Sequence, residues 1–332
     1  MCGRGSVGAS MMRVLVVIVN YRTGGLVVDC LRSLEGEVAG EGWRADVVVV
    51  DNCSGDGSLE AIRGEVESKG WGAWVRVTAA ERNGGFAYGN NVGIREGLAR
   101  GERPSYVLLL NPDTVVRPGA IKALVEFMER TPRAGIAGSR LEDPDGSVQV
   151  SAFRFPGVLS ELESGLRIGV VSRLLSRWRA SPPARGEEHE TDWVAGASMI
   201  VRMEVFEEVG GLDERYFMYF EEVDFCLRAR RAGWACWYVP GSRVVHLVGQ
   251  ASGIRGGEEK PKRRPAYWFE SRRRFFVTNY GKVRAALADV AWASGFALWR
   301  VRRWALRKPD RDPLNLLGDF VRQSVLFKGF RT

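Results

Sequence analysis

The chain has 332 residues, of which 45% are hydrophobic and 27% charged, and this balance excludes a wholly disordered protein. No uninterrupted apolar run reaches 18 residues, so the sequence predicts no ordinary membrane-spanning helix. The formal net charge is +8, yet residues 251–332 carry 19 basic and 7 acidic side chains, against 29 and 33 in the first 250. The basic excess therefore lies in the C-terminal quarter, where it indicates an anionic partner.

The cysteines form no C-x-x-C pair and match no zinc-binding spacing; they are Cys2, Cys30, Cys53, Cys226 and Cys236. No secretory signal precedes them in the first residues, so we expect reduced thiols in a cytoplasmic protein. Residues 1–12 have the composition of a loose leader in front of the folded domain.

Buried strands are predicted where apolar, mostly β-branched residues follow one another without alternation, at residues 13–19, 46–50 and 106–110. Such runs are typical of strands covered on both faces, as in a parallel sheet between helices. Amphipathic patterns predict helices between and after these runs, at about residues 25–35, 58–68, 87–100 and 118–130. The alternation of strands and helices predicts an α/β fold with an open sheet.

Beyond residue 140 the pattern is less regular. The turn-forming stretch 181–190 predicts a mobile loop, 192–202 predicts a strand, and 219–233 predicts a helix. Residues 235–248 predict two short strands separated by Pro240 and Gly241.

Each of the three buried runs ends in polar residues, namely Asn20-Tyr21, Asp51-Asn52 and Asn111-Pro112-Asp113. In a parallel sheet these ends meet along one edge, and ligands of open α/β sheets bind in the crevice outside that edge. Asp51 and Asn52 can pair with a nucleobase or a ribose, although they also suit a turn into a helix capped by Ser58. Asp113 suits a hard divalent cation shared with phosphate oxygens, although it also suits a turn before a helix.

Residues 83–93 (NGGFAYGNNVG) contain four glycines at the predicted start of a helix. Backbone amides in such a segment can approach a diphosphate closely, and a helix N-terminus attracts anions. The spacing matches neither the dinucleotide-binding nor the P-loop motif. The alternative is a glycine-rich turn in which Asn90 and Asn91 are ordinary surface residues.

Three acids, Glu221, Glu222 and Asp224, lie in the first turn of a predicted helix. They complement the helix dipole there, or one of them is a general base that accepts the proton of a hydroxyl. Because consecutive helical residues diverge by about 100°, only one of Glu221 and Glu222 points at a given substrate. His246 is a structural residue or the second ligand of a metal ion held by Asp113.

Taken in chain order, these segments resemble the family 2 glycosyltransferases with a GT-A fold, in particular their bacterial rhamnosyltransferase-like members. The resemblance covers about residues 13–250 and rests on VNYRTG (19–24), VVVVDNCSGDGS (47–58), NGGFAYGNNVG (83–93), LLLNPDT (108–114), GASMIVRMEVFEEVGGLDERYFMYFEEVDFCLRARRAG (196–233) and VVHLVGQAS (244–252). It implies a Rossmann-like open mixed sheet flanked by helices in residues 13–250, followed by a basic, helical C-terminal region in residues 251–332.

The resemblance also implies roles for single residues. The implied donor-binding residues are Asn20, Tyr21, Asp51, Asn52, Asn83, Gly85, Asn90, Asn111 and Asp113; the acceptor-binding residues are Trp193, Gly196, Ala197 and Glu221; the metal ligands are Asp113 and His246; and the general base is Glu222. Two positions depart from the family pattern, since Asn111 replaces the first aspartate of the D-x-D metal motif and Glu222 replaces the aspartate of the ED pair.

The implied reaction is an inverting sugar transfer that depends on Mg²⁺ or Mn²⁺. By the resemblance the donor is a nucleotide sugar such as dTDP-rhamnose, and the acceptor is a lipid-linked or polymeric glycan. One alternative is a nucleotidyltransferase, which is disfavoured because only Arg22 could grip phosphates near the first strand. The other is a non-catalytic glycan- or lipid-binding scaffold, against which the intact set of acids argues.

The basic C-terminal region contains an apolar stretch, residues 285–299, interrupted only by Asp289 and Ser294. As a helix these residues rise about 22 Å, which is short of a bilayer core. We expect a helix that lies in the interface of an anionic membrane, at the inner face of the cell membrane. The alternative is a helix packed on the catalytic domain. The basic stretches match no nucleic-acid-binding motif, so no nucleic acid partner is expected.

Overall fold

The computed structural model describes residues 11–99, 103–247 and 262–331. The strands in this part of the chain are β1 (Met12–Asn20), β2 (Ala39–Gly40), β3 (Trp43–Asp51), β4 (Val75–Ala79), β5 (Tyr106–Leu110), β6 (Thr114–Val116), β7 (Ala134–Glu142), β8 (Ala152–Phe153), β9 (His189–Thr191), β10 (Trp193–Val194), β11 (Ser198–Arg202) and β12 (Ala235–His246). The α-helices are α1 (Gly24–Leu34), α2 (Ser58–Ser68), α3 (Gly85–Leu98), α4 (Ala120–Arg130), α5 (Val158–Leu166), α6 (Gly169–Leu174), α7 (Met203–Val209), α8 (Glu221–Arg231), α9 (Ala266–Ala305), α10 (Leu316–Gln323) and α11 (Val325–Lys328). The predicted α/β class is confirmed, and residues 1–10 of the predicted leader lie outside the described residues.

A mixed sheet forms the centre of the protein, in the strand order β2-β3-β1-β5-β11-β7-β12-β6, with β4 paired to β3 and β9 to β12. β1 runs parallel to both β3 and β5, whereas β11 is antiparallel to β5 and β7. Asn20 lies opposite Asp51, and Ile18 lies opposite Leu110, so the ends of β1, β3 and β5 share one edge. This is the edge at which the sequence predicts a ligand.

Helices cover both faces of the sheet because the central strands are apolar on each side. On β1, Val14, Val16 and Ile18 belong to the buried cluster under α1 and α4, and Leu15 and Val17 belong to the cluster under α3 and α8. Burying one such side chain contributes roughly 1.5–3 kcal/mol, so the strand that ends at Asn20 is fixed from both sides.

Helix α3 approaches β1 closely through a row of glycines, Gly89, Gly93 and Gly97. A Cβ atom at each position would lie between 2.3 and 2.6 Å from a β1 side chain. The glycines of the predicted 83–93 segment therefore serve helix–sheet packing as well as the loop that begins the helix.

The second half of the chain corrects three sequence predictions. The segment around Pro240 is one strand, β12, with a register shift between Val239 and Arg243, because a bulge accommodates a residue that lacks an N–H. The strand predicted at residues 192–202 is divided into β10 and β11, since the chain passes there from the two-stranded β8–β10 sheet to the central one. Helices α5 and α6 fall where the sequence predicted no element.

Helix α9 is a helical hairpin, because Gly281 has a φ of +79° and interrupts it. Residues on the two sides of this break meet: Phe276, five residues before it, shares a buried cluster with Ala285, four residues after it, and Arg272 forms an ion pair with Asp289. One face of the hairpin packs against α5. The predicted C-terminal helix thus exists. It packs on the rest of the protein, which is the second of the two arrangements considered from the sequence.

A buried ion-pair network fastens this helical hairpin. Arg272 is 4% exposed and lies 2.7 Å from the Glu161 carboxylate of α5. The Asp289 carboxylate contacts Arg272 and accepts a 2.7 Å hydrogen bond from the Val325 N–H. Arg272 thereby links α5 to the second half of the hairpin, and Asp289 links that half to α11. Among the described residues, no helix combines the length and the hydropathy needed to cross a bilayer.

Candidate active site

The ends of β1 and β3 are joined by a buried hydrogen-bond network. The Asn20 side-chain amide donates to Asp51 Oδ1 at 2.7 Å, and its oxygen accepts from the Thr23 N–H and hydroxyl. The Ser54 hydroxyl also donates to Asp51, at 2.6 Å. Asn20 is fully buried and orients Asp51 through its own hydrogen bond from the interior of the protein. Tyr21, at the same edge, is 38% exposed.

Asn52 connects this edge to the glycine-rich loop. Its amide donates to Asn83 Oδ1 at 3.1 Å and to the Gly85 carbonyl at 3.0 Å. Its own Oδ1 is buried and has no partner among the described residues. An unpartnered buried acceptor is costly, and a ligand N–H at this position would satisfy it.

Gly85 brings the loop against the segment that precedes α8. Its φ is +84°, and a Cβ atom there would lie 1.8 Å from the Phe217 carbonyl oxygen. The same carbonyl accepts a 2.9 Å hydrogen bond from the Phe86 N–H. Only glycine permits this approach, so the loop and the segment around Phe217 form one unit.

Two asparagines of α3 have internal partners, and both are buried. Asn90 donates to the Phe86 carbonyl one turn earlier. Asn91 donates to the Leu212 carbonyl and accepts from its N–H. The alternative that they are ordinary surface residues is wrong. Asn91 fixes the loop before α8, a role that sequence reasoning missed because Leu212 is 121 residues away.

Asp113 and His246 are brought together by strand pairing, since His246 lies opposite Thr114 where β12 meets β6. His246 Nε2 is 3.6 Å from Asp113 Oδ1, too far for a good hydrogen bond. Gln149 donates to the His246 carbonyl at 2.8 Å, and its oxygen lies 3.3 Å from His246 Nδ1. In a neutral ring, a proton on Nδ1 can donate to this oxygen, and the Nε2 lone pair then faces Asp113.

The pair suits a divalent cation. Aspartate oxygen and imidazole nitrogen both ligate Mn²⁺, and the contact of Gln149 Oε1 with His246 Nδ1 favours the tautomer that ligates through Nε2. Within the described ranges, no three His, Cys, Asp or Glu side chains gather closely enough to hold a metal ion. A cation there would take its remaining ligands from diphosphate oxygens and water, as Mg²⁺ commonly does. No signal in the sequence marked Gln149, which lies in the irregular stretch after β7.

A short backbone segment, Gly196 and Ala197, links the turn at Asp113 to the start of α8. The Asn111 N–H donates to the Ala197 carbonyl at 3.0 Å. Next to it, a Cβ atom at Gly196 would lie 3.3 Å from the Phe86 ring and 3.8 Å from Glu222 Cβ. Gly196 and Ala197 therefore contact both the turn that carries Asp113 and the first turn of α8, which carries Glu222.

Helix α8 begins with two carboxylates that are poorly solvated. Oε2 of Glu221 and Oε2 of Glu222 are buried and have no hydrogen-bond partner among the described residues. Burial raises the pKa of Glu222 to about 7. Burial and the neighbouring Glu222 charge raise the pKa of Glu221 well above its ordinary value. Such a carboxyl group can accept and hold a proton near neutral pH.

Two other predicted residues have structural contacts. The Trp193 indole N–H donates to the Arg154 carbonyl at 3.0 Å, and its ring stacks on Phe153 at 4.2 Å between centroids. Asp224 accepts hydrogen bonds from Arg228 and from Asn279 of the helical hairpin, both at 2.8 Å. Asp224 thereby ties α8 to α9.

Residues 12–275 match the family described as glycosyltransferase like family 2. The chain is 37% identical over 156 residues to the N-acetylglucosaminyl-diphospho-decaprenol L-rhamnosyltransferase of Mycobacterium tuberculosis, which covers 45% of this chain and 48% of that protein. It is 32% identical over 170 residues to the rhamnosyltransferase WbbL of Escherichia coli (49% and 61%) and 27% identical over 179 residues to the dTDP-rhamnosyl transferase RfbF of Shigella flexneri (54% and 54%). The chain thus spans about half the length of these relatives.

Two solved structures share the architecture. GalNAc-T7 with UDP, GalNAc and Mn²⁺ has a TM-score of 0.59 at 17% identity, over 96% of this chain and 56% of that one. The mannosyltransferase PcManGT of Pyrobaculum calidifontis, in complex with GDP-Man and Mn²⁺, has a TM-score of 0.55 at 16% identity, over 96% and 82%. The likeness confirms the predicted GT-A fold, and with the match over residues 12–275 it shows that the chain belongs to glycosyltransferase family 2.

Proposed function

We propose that the protein is an inverting glycosyltransferase whose donor and acceptor meet between Asp113 and Glu222. The observation that carries this proposal is the buried Oε2 of Glu222, which has no hydrogen-bond partner among the described residues. It belongs to a side chain that contacts Gly196, and the neighbouring Ala197 is hydrogen-bonded to Asn111 in the Asp113 turn. A base on one side and a cation-binding carboxylate on the other are what a displacement at a sugar carbon requires.

The nucleotide of the donor binds at the ends of β1 and β3 in this proposal. Asp51, oriented by Asn20, accepts from ribose hydroxyls, and the buried Asn52 Oδ1 accepts from a base N–H. Tyr21 is exposed at the same edge and covers the base. The loop from Asn83 to Asn90 borders the ribose and the diphosphate, where helix α3 begins.

Glu222 removes the proton of the acceptor hydroxyl as that oxygen attacks the anomeric carbon. The bond from this carbon to the diphosphate oxygen breaks, and the diphosphate leaves with the electron pair. Attack on the face opposite the leaving group inverts the anomeric configuration, and no covalent enzyme intermediate forms. A pKa of about 7 lets Glu222 take the proton near neutral pH.

Asp113 and His246 would hold Mg²⁺ or Mn²⁺. When bound there, the cation supplies positive charge for the departing diphosphate. The Gln149 contact keeps Nε2 of His246 available as a ligand.

We propose dTDP-rhamnose as the donor and a lipid-linked or polysaccharide sugar as the acceptor, which the names of the rhamnosyltransferase relatives support.

The test incubates the purified chain with dTDP-rhamnose, UDP-glucose, UDP-GlcNAc or GDP-mannose, with Mn²⁺ or with EDTA. We expect metal-dependent release of dTDP from dTDP-rhamnose and an inverted anomeric centre in the product. Retention of configuration would overturn the mechanism. Pyrophosphate release from a nucleoside triphosphate and a sugar phosphate would indicate a nucleotidyltransferase, and binding without turnover a scaffold.

We also propose that the C-terminal region, residues 251–332, holds the transferase domain, residues 13–250, at the inner face of the cell membrane. The support is an exposed apolar stripe on the second half of the helical hairpin, comprising Val283, Leu287, Val290, Leu298 and Val301. From residue 285 to 299 the only charge is Asp289, which is buried against Arg272. Basic residues flank both ends of the stripe, Lys282 and Arg284 at one and Arg300 and Arg302 at the other.

This surface fits an anionic bilayer, because the apolar side chains suit the acyl boundary and the basic flanks suit the headgroups. The membrane proposal is tested by flotation of the protein with vesicles of phosphatidylglycerol and phosphatidylethanolamine. The double variant Leu287→Glu plus Leu298→Glu is compared with wild type and with the control Glu60→Lys on α2. We expect the double variant to lose flotation and the control to keep it. Equal flotation would overturn the proposal, and a concentration-dependent dimer lost in the double variant would assign the stripe to a second copy.

A further inference from the structure

Three aromatic side chains beside α8 have no part in the reaction described above. Phe217 and Tyr219 precede the helix, and Tyr267 comes from the first turn of α9. The rings of Phe217 and Tyr267 are 5.3 Å apart, and those of Tyr219 and Tyr267 are 6.2 Å apart and inclined by only 20°. Each of the three is partly exposed. Together they form an aromatic wall.

The aromatic wall stands next to the proposed base. Tyr219 precedes Glu222 by three residues, and the Phe217 carbonyl accepts from the Phe86 N–H. The Phe86 ring in turn lies against Gly196, which borders Glu222. The wall therefore lies beside the first turn of α8, which carries Glu222.

The backbone at the wall is strained. Tyr219 and Phe220 both have a φ of +70°, which bulky L-residues rarely adopt. The helical hairpin holds this turn, since the Ser271 hydroxyl donates to the Met218 carbonyl at 3.0 Å and Trp268 contacts Phe220 at 6.3 Å between ring centroids. Strain of this kind concentrates at binding sites.

We infer that the aromatic wall binds the sugar ring of the acceptor and that Tyr267 determines acceptor affinity. The C–H face of a pyranose packs on aromatic rings, and the tyrosine hydroxyls can bond to sugar hydroxyls. The inference rests on the proposed sugar transfer and deepens it, because it names a glycan acceptor and places a residue of the C-terminal region in its site.

The test compares wild type, Tyr267→Ala, Tyr267→Phe and the control Trp178→Ala, an exposed aromatic outside the wall. The probe is N-acetylglucosamine diphosphate carrying a ten-carbon alkyl chain, a soluble compound that resembles the acceptor in the name of the mycobacterial relative. Binding is measured by calorimetry without donor, and transfer is measured with dTDP-rhamnose. Calorimetry does not depend on turnover, so failure of the proposed reaction and failure of this inference give different results.

We expect Tyr267→Ala to weaken probe binding and raise the acceptor KM by about five- to tenfold, with kcat and donor KM within about twofold of wild type. Tyr267→Phe retains most of the affinity, and Trp178→Ala retains all of it. Unchanged probe affinity in Tyr267→Ala, or a raised donor KM instead, would overturn the inference. So would a wild type that binds no probe.

Discussion

Replacing Glu222 by glutamine separates the two consequences of its burial. Burial raises the pKa of Glu222 from 4.5 to about 7, so the folded protein holds a proton that the unfolded chain has released. A difference of roughly 2.5 pH units corresponds to about 3 kcal/mol in the free energy of unfolding. The sign follows from proton binding: the contribution of Glu222 to the free energy of unfolding is fully present below pH 4.5 and is lost as the pH rises through about 7.

Glutamine has nearly the same shape and no charge, so Glu222→Gln avoids this loss. The quantity of interest is the free energy of unfolding of the variant minus that of wild type. We expect this difference to be about 3 kcal/mol larger at pH 8 than at pH 4.5. At the same time its transfer rate falls by about 10² to 10⁴, because the proton acceptor is gone. A single substitution thus stabilises the fold and disables the reaction.

The stability change is measured by urea unfolding at pH 4.5 and pH 8. The control is Glu270→Gln, which replaces an exposed glutamate of α9. Initial rates across the same range measure the effect on transfer, and the wild-type rate should fall tenfold per pH unit below about pH 7. If the stabilities of wild type and Glu222→Gln change in parallel with pH, Glu222 is not desolvated. Transfer close to the wild-type rate would remove it from the role of base.

Three further predictions follow from the contacts at the site and in the C-terminal region. Asp113→Asn should weaken Mn²⁺-dependent binding of dTDP by about tenfold or more, and calorimetry with equal affinities would contradict this. Gly85→Ala should lower the thermal midpoint and donor affinity together, since its Cβ would meet the Phe217 carbonyl at 1.8 Å; a variant with wild-type melting and binding would refute the close approach. Arg272→Met should cost about 3–5 kcal/mol in urea unfolding because it leaves two buried carboxylates without a counter-charge, and an unchanged stability would contradict the role given to this ion-pair network.

The first half of the fold could be predicted because its signals are local. β1, β3 and β5 are apolar on both faces, and their polar ends meet through parallel pairing, as the register of Asn20 with Asp51 shows. The second half depends on pairings between distant segments. β11 inserts between β5 and β7, and β12 continues through Pro240 by means of a bulge, which no local pattern reveals.

The same distinction holds for the candidate site. Residues within the recognisable strings, such as Asp113 and Glu222, could be singled out from residue type and position. Gln149 and Tyr267 could not, because their significance arises only where β12 places His246 beside Gln149 and where α9 places a ring beside Phe217. Chemical character is visible in a sequence, whereas the neighbours that orient a side chain depend on the complete topology.

The contacts of Ser271 with Met218 and of Asn279 with Asp224 have a consequence for synthesis of the protein. A ribosome releases β1 and β3 first and residues 271–279 about fifty residues after Glu222. At ordinary elongation rates this delay is on the order of 3–10 s. During that interval β1 and β3 can pair while the turn before α8 still lacks its contacts with the helical hairpin. Catalytic competence therefore arises late in translation.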